Sequence, residues 1–327
     1  MTNAIYSLSI CARATLDMHS LNNEGGEGNQ IQTRMVNIVT QDGRLANVNA
    51  ISGDMLKHIQ AEHLFRLLSG RADVPLCAAC REFNANRISA DADYEEAING
   101  KTDAEATDEL LHRCALDDME GNLITAGNRS LPRKSVVEFG WVVGLPDVTT
   151  TDSYFHVKYA SERSEGRRQE EEGEERRRAN LGQAIFHRPA SSGVYAIVGS
   201  FELARIGFND ITQTYAVDDD QRQRRYQALL ESVLYTLIEP RGAMRNTQNP
   251  HILNVEGVIA ESHGPTPAPT ISPLAETYDQ DIEKIVAALE PLRPGMVRTR
   301  RFASLAEFAD HMRDMIQNGA PFRLTYA

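Results

Sequence analysis

Four groups of residues in this 327-residue chain have types and spacings that could do chemistry. Cys77-x-x-Cys80 has the spacing of a metal knuckle, and His112 and Cys114 further along would complete four ligands for a tetrahedral structural zinc. "HSLNNEGGEGNQIQTR", His19 to Arg34, sets Gly25, Gly26 and Gly28 among Asn22, Asn23, Asn29, Glu24 and Glu27. Such a loop can cradle a phosphate with backbone N–H groups, carry an acid for cleavage, or be a solvated turn. At Ser52-Gly53 an extended run gives way to a helical pattern, whose first N–H groups and positive dipole end suit a phosphate, with Lys57 and His58 one turn in. Arg13, Arg34, the pair Arg133-Lys134, and the turn holding Gly242, Met244 and Arg245 add cations and close backbone approach. "HIQAEH" spaces its histidines five apart, which places them on different helix faces and excludes the metalloprotease pattern.

The elements that must position these groups are legible as periodicities. Tyr6, Leu8, Ile10, Ala12, Ala14 and Leu16 alternate with polar residues, which predicts a strand with one buried face and a polar face carrying Arg13. After the glycine loop come a strand, an Asp-Gly turn, a short strand and a helix with Ser52 as its N-cap. Residues 70–130 break into short helical pieces that read as an insertion. "VVEFGWVVGLP" and "SGVYAIVGSFEL" are apolar enough for central strands. Between them "ERSEGRRQEEEGEERRR", Glu162 to Arg178, is nearly all charge and reads as a mobile tip within a second insertion, 158–187. Tyr226 to Leu237 forms an amphipathic helix ended by Pro240 and Gly242, "SHGPTPAPTISP" an extended loop, and Ser304 with Glu307 caps a last helix.

A net charge of -12 argues against a protein that coats nucleic acid indiscriminately, but leaves room for a basic groove. The cations are mostly arginine, whose planar fork suits bidentate phosphate contact. The four cysteines are too scattered for a secreted disulfide scaffold, and no run approaches the roughly 20 apolar residues of a membrane helix. The expectation is a cytoplasmic protein with no membrane partner.

Taken in order, "LNNEGGEGNQIQTRMV", "NAISGDMLKHIQAEHL", "LPRKSVVEFGW", "SSGVYAIV" and "PRGAMRNTQNPHI" resemble the DevR-type backbone subunits of type I CRISPR Cascade complexes, of the RAMP superfamily. The resemblance runs from the first strand to about residue 262 and is weakest in the charged segment and the C-terminal tail. It implies an α+β fold: one RRM-like (ferredoxin-like) palm with a finger insertion and a β-hairpin thumb. It also implies a non-catalytic subunit that polymerises with copies of itself along a guide RNA, beside other Cascade subunits, and exposes the guide for pairing with target DNA. On that reading Arg13, Asn22, Asn23, Asn29, Arg34, Ser52, Gly53, Lys57, His58, Arg133, Lys134, Gly242, Met244 and Arg245 are the candidate RNA contacts. Cys77, Cys80, His112 and Cys114 are the candidate zinc ligands. The competing expectation is a target-RNA endonuclease like the related type III backbone subunits, with Asp17, Glu24 or Glu27 as its acid. A third, regulatory, reading has no helix-turn-helix signal behind it.

Overall fold

Strand β2 (Ser7–His19) is the axis of the molecule. The computed structural model describes residues 3–159 and 183–325, so the charged segment Glu162 to Arg178, expected to be a mobile tip, lies outside the described residues. β1 (Asn3–Ile5) precedes β2; the hairpins β3 (Asn23–Glu27)/β4 (Gln30–Thr33) and β5 (Met35–Val39)/β6 (Leu45–Ile51) follow it. Helix α1 (Gly53–Ser69) begins where Ser52 Oγ accepts the Met55 N–H, as its N-cap sequence predicts. The short helices α2 (Ala78–Arg81), α3 (Ala92–Ala97), α4 (Asp103–Arg113) and α5 (Ala115–Glu120) come next, then β7 (Asn122–Ile124) and β8 (Leu131–Arg133). β9 (Val137–Phe139), β10 (Val142–Tyr159) and β11 (Gln183–Phe201) return to the main sheet. A small hairpin, β12 (Phe208–Asn209)/β13 (Thr214–Tyr215), leads to α6 (Asp219–Ile238), and β14 (His251–Ser262), α7 (Tyr278–Leu289), β15 (Val297–Phe302), α8 (Leu305–Asn318) and β16 (Gly319–Pro321) end the chain.

The main sheet runs β15-β14-β2-β11-β10-β6-β5 with every neighbour antiparallel, an α+β arrangement. β9 takes the C-terminal end of β11, pairing Phe139 with Gly199, while β10 takes its N-terminal stretch out to Tyr159 opposite Gln183. β1 pairs in parallel with β16, so the tail, where the family resemblance is weakest, is still part of the fold.

Leu8, Ile10, Ala12, Ala14 and Leu16 of β2 join Ile59 and Leu64 of α1, Leu229 and Val233 of α6, and Phe308 and Met312 of α8 in one core. The alternation leaves a second face to solvent, yet Ser9 and Cys11 there are buried too, and burial pushes the Cys11 thiol up to about 11. The covering layer is the proline-rich segment with α7. Proline has no N–H, so this extended segment offers carbonyls. Ser9 Oγ donates to Pro269 O at 2.6 Å, and Arg13 donates through Nε to Pro273 O at 2.9 Å and through Nη2 to Ala275 O at 3.2 Å while stacking on Tyr278. Arg13 is thus placed under this layer instead of on an open sheet face.

"VVEFGWVVGLP" is two strands, not one. The chain breaks at Gly140-Trp141, where a Cβ on Gly140 would meet Val198 Cγ2 at 2.4 Å. The insertion is fastened by charge. Asp118 of α5, wholly buried, accepts Arg133 Nη2 at 2.6 Å and Arg225 Nη1 of α6 at 2.8 Å, together with the Gly207 N–H at 2.9 Å. Arg133 donates further to Phe208 O, Arg205 O and Asp210. An Arg-Lys pair before a strand predicts a surface clamp; instead Arg133 is 4% exposed and its donors are spent inside the protein. Asp118→Asn leaves buried Arg225 without its carboxylate and Arg133 with Asp210 alone, and should cost about 3–5 kcal/mol in urea denaturation. An unchanged midpoint would show the network is not what fastens the insertion.

Candidate nucleic-acid interface

Just past the end of β2 the chain makes hydrogen bonds to both sides. On one side Asn22, 5% exposed, accepts the Ser52 N–H on its Oδ1 at 2.8 Å, which ties the glycine loop to the start of α1. Its carbonyl receives the Arg34 N–H and Thr33 Oγ1, closing the hairpin back on the same point. On the other side Leu21 O accepts Ala243 N–H and Ser20 O accepts Met244 N–H. This contact requires glycine at 242, where a Cβ would lie 2.4 Å from Leu21 O. Gly53 is under a similar constraint, its absent Cβ standing 2.5 Å from Phe139 O. Three sequence-distant candidates, the glycine loop, the Ser52-Gly53 helix start and the Gly242-Met244 turn, therefore meet around Ser20–Asn22.

Cations surround this junction. Arg34 pairs with Glu24 and lies over the exposed ring of Trp141, 5.5 Å from its centroid. Arg245 donates to Glu239 at 3.1 Å and Asn249 at 3.2 Å, and Arg241 to Glu239 at 2.8 Å. Arg188 of β11 reaches Thr247, and Gln248 donates to Pro189 O, so the turn 241–249 also rests on β11. Asn29 is exposed and its carbonyl accepts His187 N–H; Asn23 accepts from Ser20 Oγ.

Other candidates stand elsewhere. Lys57 turns inward: its Nζ donates to Glu120 O at 2.9 Å and Ser135 Oγ at 2.8 Å, and burial lowers its pKa. It fastens α1 to the insertion. His58 is exposed, its ring 5.7 Å from Phe83, and Lys134 is exposed and paired with Glu202 and Glu138. Asp17 lies within β2 opposite His251, not in the loop that follows.

The insertion holds a second cluster. Ligand atoms of Cys77, Cys80, Cys114 and Asp117, all buried, lie within 4.8 Å of one another, a set that could hold a metal ion. His112 is exposed on α4, so the fourth member is Asp117. Cys114 ends α4, and the turn into α5 brings the residue three further on, not the one two before, to the same side. Burial and the neighbouring Cys114 hold the Asp117 carboxyl well above the usual carboxylate range, while hydrogen bonds from Cys114 and Cys80 lower the Cys77 thiol below the ordinary thiol range. Among the described residues no helix is long and apolar enough to cross a membrane.

Residues 10–283 match the profile of a family described as CRISPR-associated negative auto-regulator DevR/Csa2. The chain belongs to the DevR/Csa2 family. It is similar to the CRISPR-associated protein Cas7/Cst2/DevR of Methanocaldococcus jannaschii, 25% identical over 272 residues that cover 80% of this chain and 82% of that protein. Its fold is similar to that of a chain in a CRISPR RNA-guided surveillance complex, pre-nicking, with a TM-score of 0.51 at 14% identity, covering 98% of this chain and 96% of that one. A chain of another CRISPR RNA-guided surveillance complex gives 0.50 at 10% identity, covering 95% and 98%.

Within this DevR/Csa2 chain, residues absent from the sequence-based candidates are Trp141, Arg188 and Asp117, while Arg241 opens the glycine turn that the sequence singles out. Trp141 is the sole tryptophan and Asp117 stands three residues after Cys114 in "HRCALDDMEGNL", so both had a signal in the sequence. Arg188 had none, because only the tertiary packing of 241–249 on β11 sets it at the junction. Behind the junction His19 is buried edge-on to Tyr195 at 4.9 Å, and burial lowers its pKa from 6.5 to about 4. The unfolded chain therefore binds a proton below about pH 6.5 that the folded chain refuses until about pH 4. Stability should fall across that window as pH drops, with His19 contributing about 3 kcal/mol of the loss. His19→Gln should flatten the urea midpoint between pH 6.5 and 4; a curve parallel to the unmodified protein would contradict this.

Proposed function

We propose that this chain is a guide-RNA-binding backbone subunit of a type I CRISPR interference complex, that it polymerises along the guide, and that it is not a nuclease. The observation that carries the reading is the junction itself. In a member of the DevR/Csa2 family, a glycine loop, a helix N-terminus and a glycine turn are packed together and bordered by Arg34, Arg188, Arg241 and Arg245. Backbone N–H groups and arginine forks at one place suit phosphates, and recognition through phosphates is blind to sequence, as a guide-carrying subunit requires.

The palm reading is supported by strand order. β14-β2-β11-β9 with α1 and α6 as crossovers is the β-α-β-β-α-β pattern of ferredoxin-like folds, in the order 4-1-3-2. The paired extensions of β10 and β11 fit a thumb, and exposed Tyr154, Phe155 and Val157 on that ribbon supply apolar surface for a neighbouring copy. The pieces from α2 to β8 fit the fingers. In place of the stacking face of an RRM reader, β2 has the proline-rich cover, which favours backbone contact over base stacking. The non-catalytic reading is supported by Glu24 being paired with Arg34 and Asp17 lying within a strand, since in-line cleavage needs an acid or cation free to meet the scissile phosphate. Target DNA is then met through the guide.

RNA affinity measured against salt tests this. Arg188→Ala and Arg245→Ala should weaken binding uniformly across sequences and lower the salt slope by roughly 0.7 per lost phosphate contact. Complementary RNA supplied with magnesium or manganese should stay intact. An unchanged slope would sink the phosphate role, and regular cuts abolished by Asp17→Ala or Glu24→Ala would establish the nuclease.

A further inference from the structure

We infer that Cys77, Cys80, Cys114 and Asp117 form a closed, structural zinc site that knots the insertion together, with Asp117 as the fourth ligand. A tetrahedral zinc with bonds of about 2.3 Å to sulfur and 2.0 Å to oxygen sets its ligand atoms about 3.5–3.8 Å apart. Asp117 Oδ2 lies 3.2 Å from Cys80 Sγ and 3.7 Å from Cys77 Sγ, and all four ligand atoms are within 4.8 Å, so small rotamer adjustments suffice. Cys77 and Cys80 flank a single turn, with the Cys80 N–H donating to Cys77 Sγ at 3.3 Å, which orients that sulfur as a ligand.

The donor set selects the metal. Three sulfurs favour zinc over magnesium or calcium, whose ligands are oxygen, and one carboxylate in place of a fourth thiolate disfavours an iron–sulfur cluster. A disulfide between any two of the cysteines would strand the third thiol beside a buried carboxyl. The surroundings complete the site. Asp117 Oδ1 accepts the Ile88 N–H at 3.5 Å, and Arg87, whose charge acts on Asp117, has a buried Nη1 without a hydrogen-bond partner. Three thiolates and a carboxylate around a divalent cation leave two net negative charges, which Arg87 partly offsets.

All four positions are filled by the chain, so no coordination site is open for catalysis. The metal instead joins two stretches, Cys77–Cys80 and Cys114–Asp117 at the start of α5, and through the Ile88 N–H on Asp117 Oδ1 it also holds the end of the 83–88 loop, in which Phe83 and Arg87 adopt positive φ. At the far end of α5 the Glu120 carbonyl receives Lys57 of α1, so the zinc also steadies the insertion's seat on the sheet domain.

The test is the zinc content of the full-length chain after exhaustive dialysis, together with the cobalt(II) spectrum of the metal-stripped protein. Close to one zinc per chain is expected, with thiolate-to-cobalt charge transfer and tetrahedral ligand-field bands. Cys77→Ser and Cys114→Ser should lose the metal, Asp117→Asn should surrender it to a chelating dye at least tenfold faster, and His112→Ala should behave as the unmodified protein. Asp117→Cys, which supplies a fourth thiolate, should keep both zinc and fold and strengthen the charge-transfer band. Substoichiometric zinc from a zinc-replete preparation, or equal loss in His112→Ala and Asp117→Asn, would overturn the assignment.

Discussion

The arrangement of the candidate interface depends on one constraint: the backbone at the end of β2 must be satisfied from two sides at once. Ser20 O and Leu21 O take N–H groups from the 241–249 turn, and Asn22 uses its side chain to hold the first residue of α1's cap. A buried polar backbone group without such a partner costs about twice what each bond contributes, which favours the three segments coming together. Glycine at 53 and 242 is the steric corollary, since any Cβ there would push the segments apart. The junction is thus rigid, and the loop tip beyond it carries Gly25 and Gly28 at positive φ.

The insertion is attached by a different physics. Apolar packing supplies its own small core, but its registration on the sheet domain relies on buried charge: Asp118 between Arg133 and Arg225, and the Lys57 ammonium between Glu120 O and Ser135 Oγ. Buried ion pairs add little net stability against an apolar alternative, yet they are intolerant of misplacement. That suits a segment whose position relative to the main sheet matters more than its strength of attachment. It also explains why two residues that look like phosphate ligands in the sequence, Lys57 and Arg133, are used inside.

Periodicity made most of the scaffold legible. The alternation in β2, the Ser52 cap of α1, the amphipathic α6 and the Ser304 cap of α8 are local signals, and local geometry follows them. What the sequence hides is long-range. The second face of β2 looks solvated because nothing local announces that Pro269, Pro273 and Ala275 will cover it. The break at Gly140 depends on Val198 across the sheet, and the burial of Arg133 on an aspartate and a helix far along the chain. The cysteine cluster was legible in its spacing except for its fourth member, because His112 lies two residues before Cys114 and Asp117 three after it, and only the turn from α4 into α5 decides which of them reaches the cysteines.

The claim on which the account rests is that RNA lies along the junction at the end of β2. Photocrosslinking of the chain to guide RNA carrying 4-thiouridine, followed by mass spectrometry of the RNA-bearing peptides, tests it most directly. The account predicts adducts on peptides from residues 20–34, Trp141 and 241–249, with none on the proline-rich cover or α7. Adducts concentrated on 265–289, with the junction peptides bare, would contradict it.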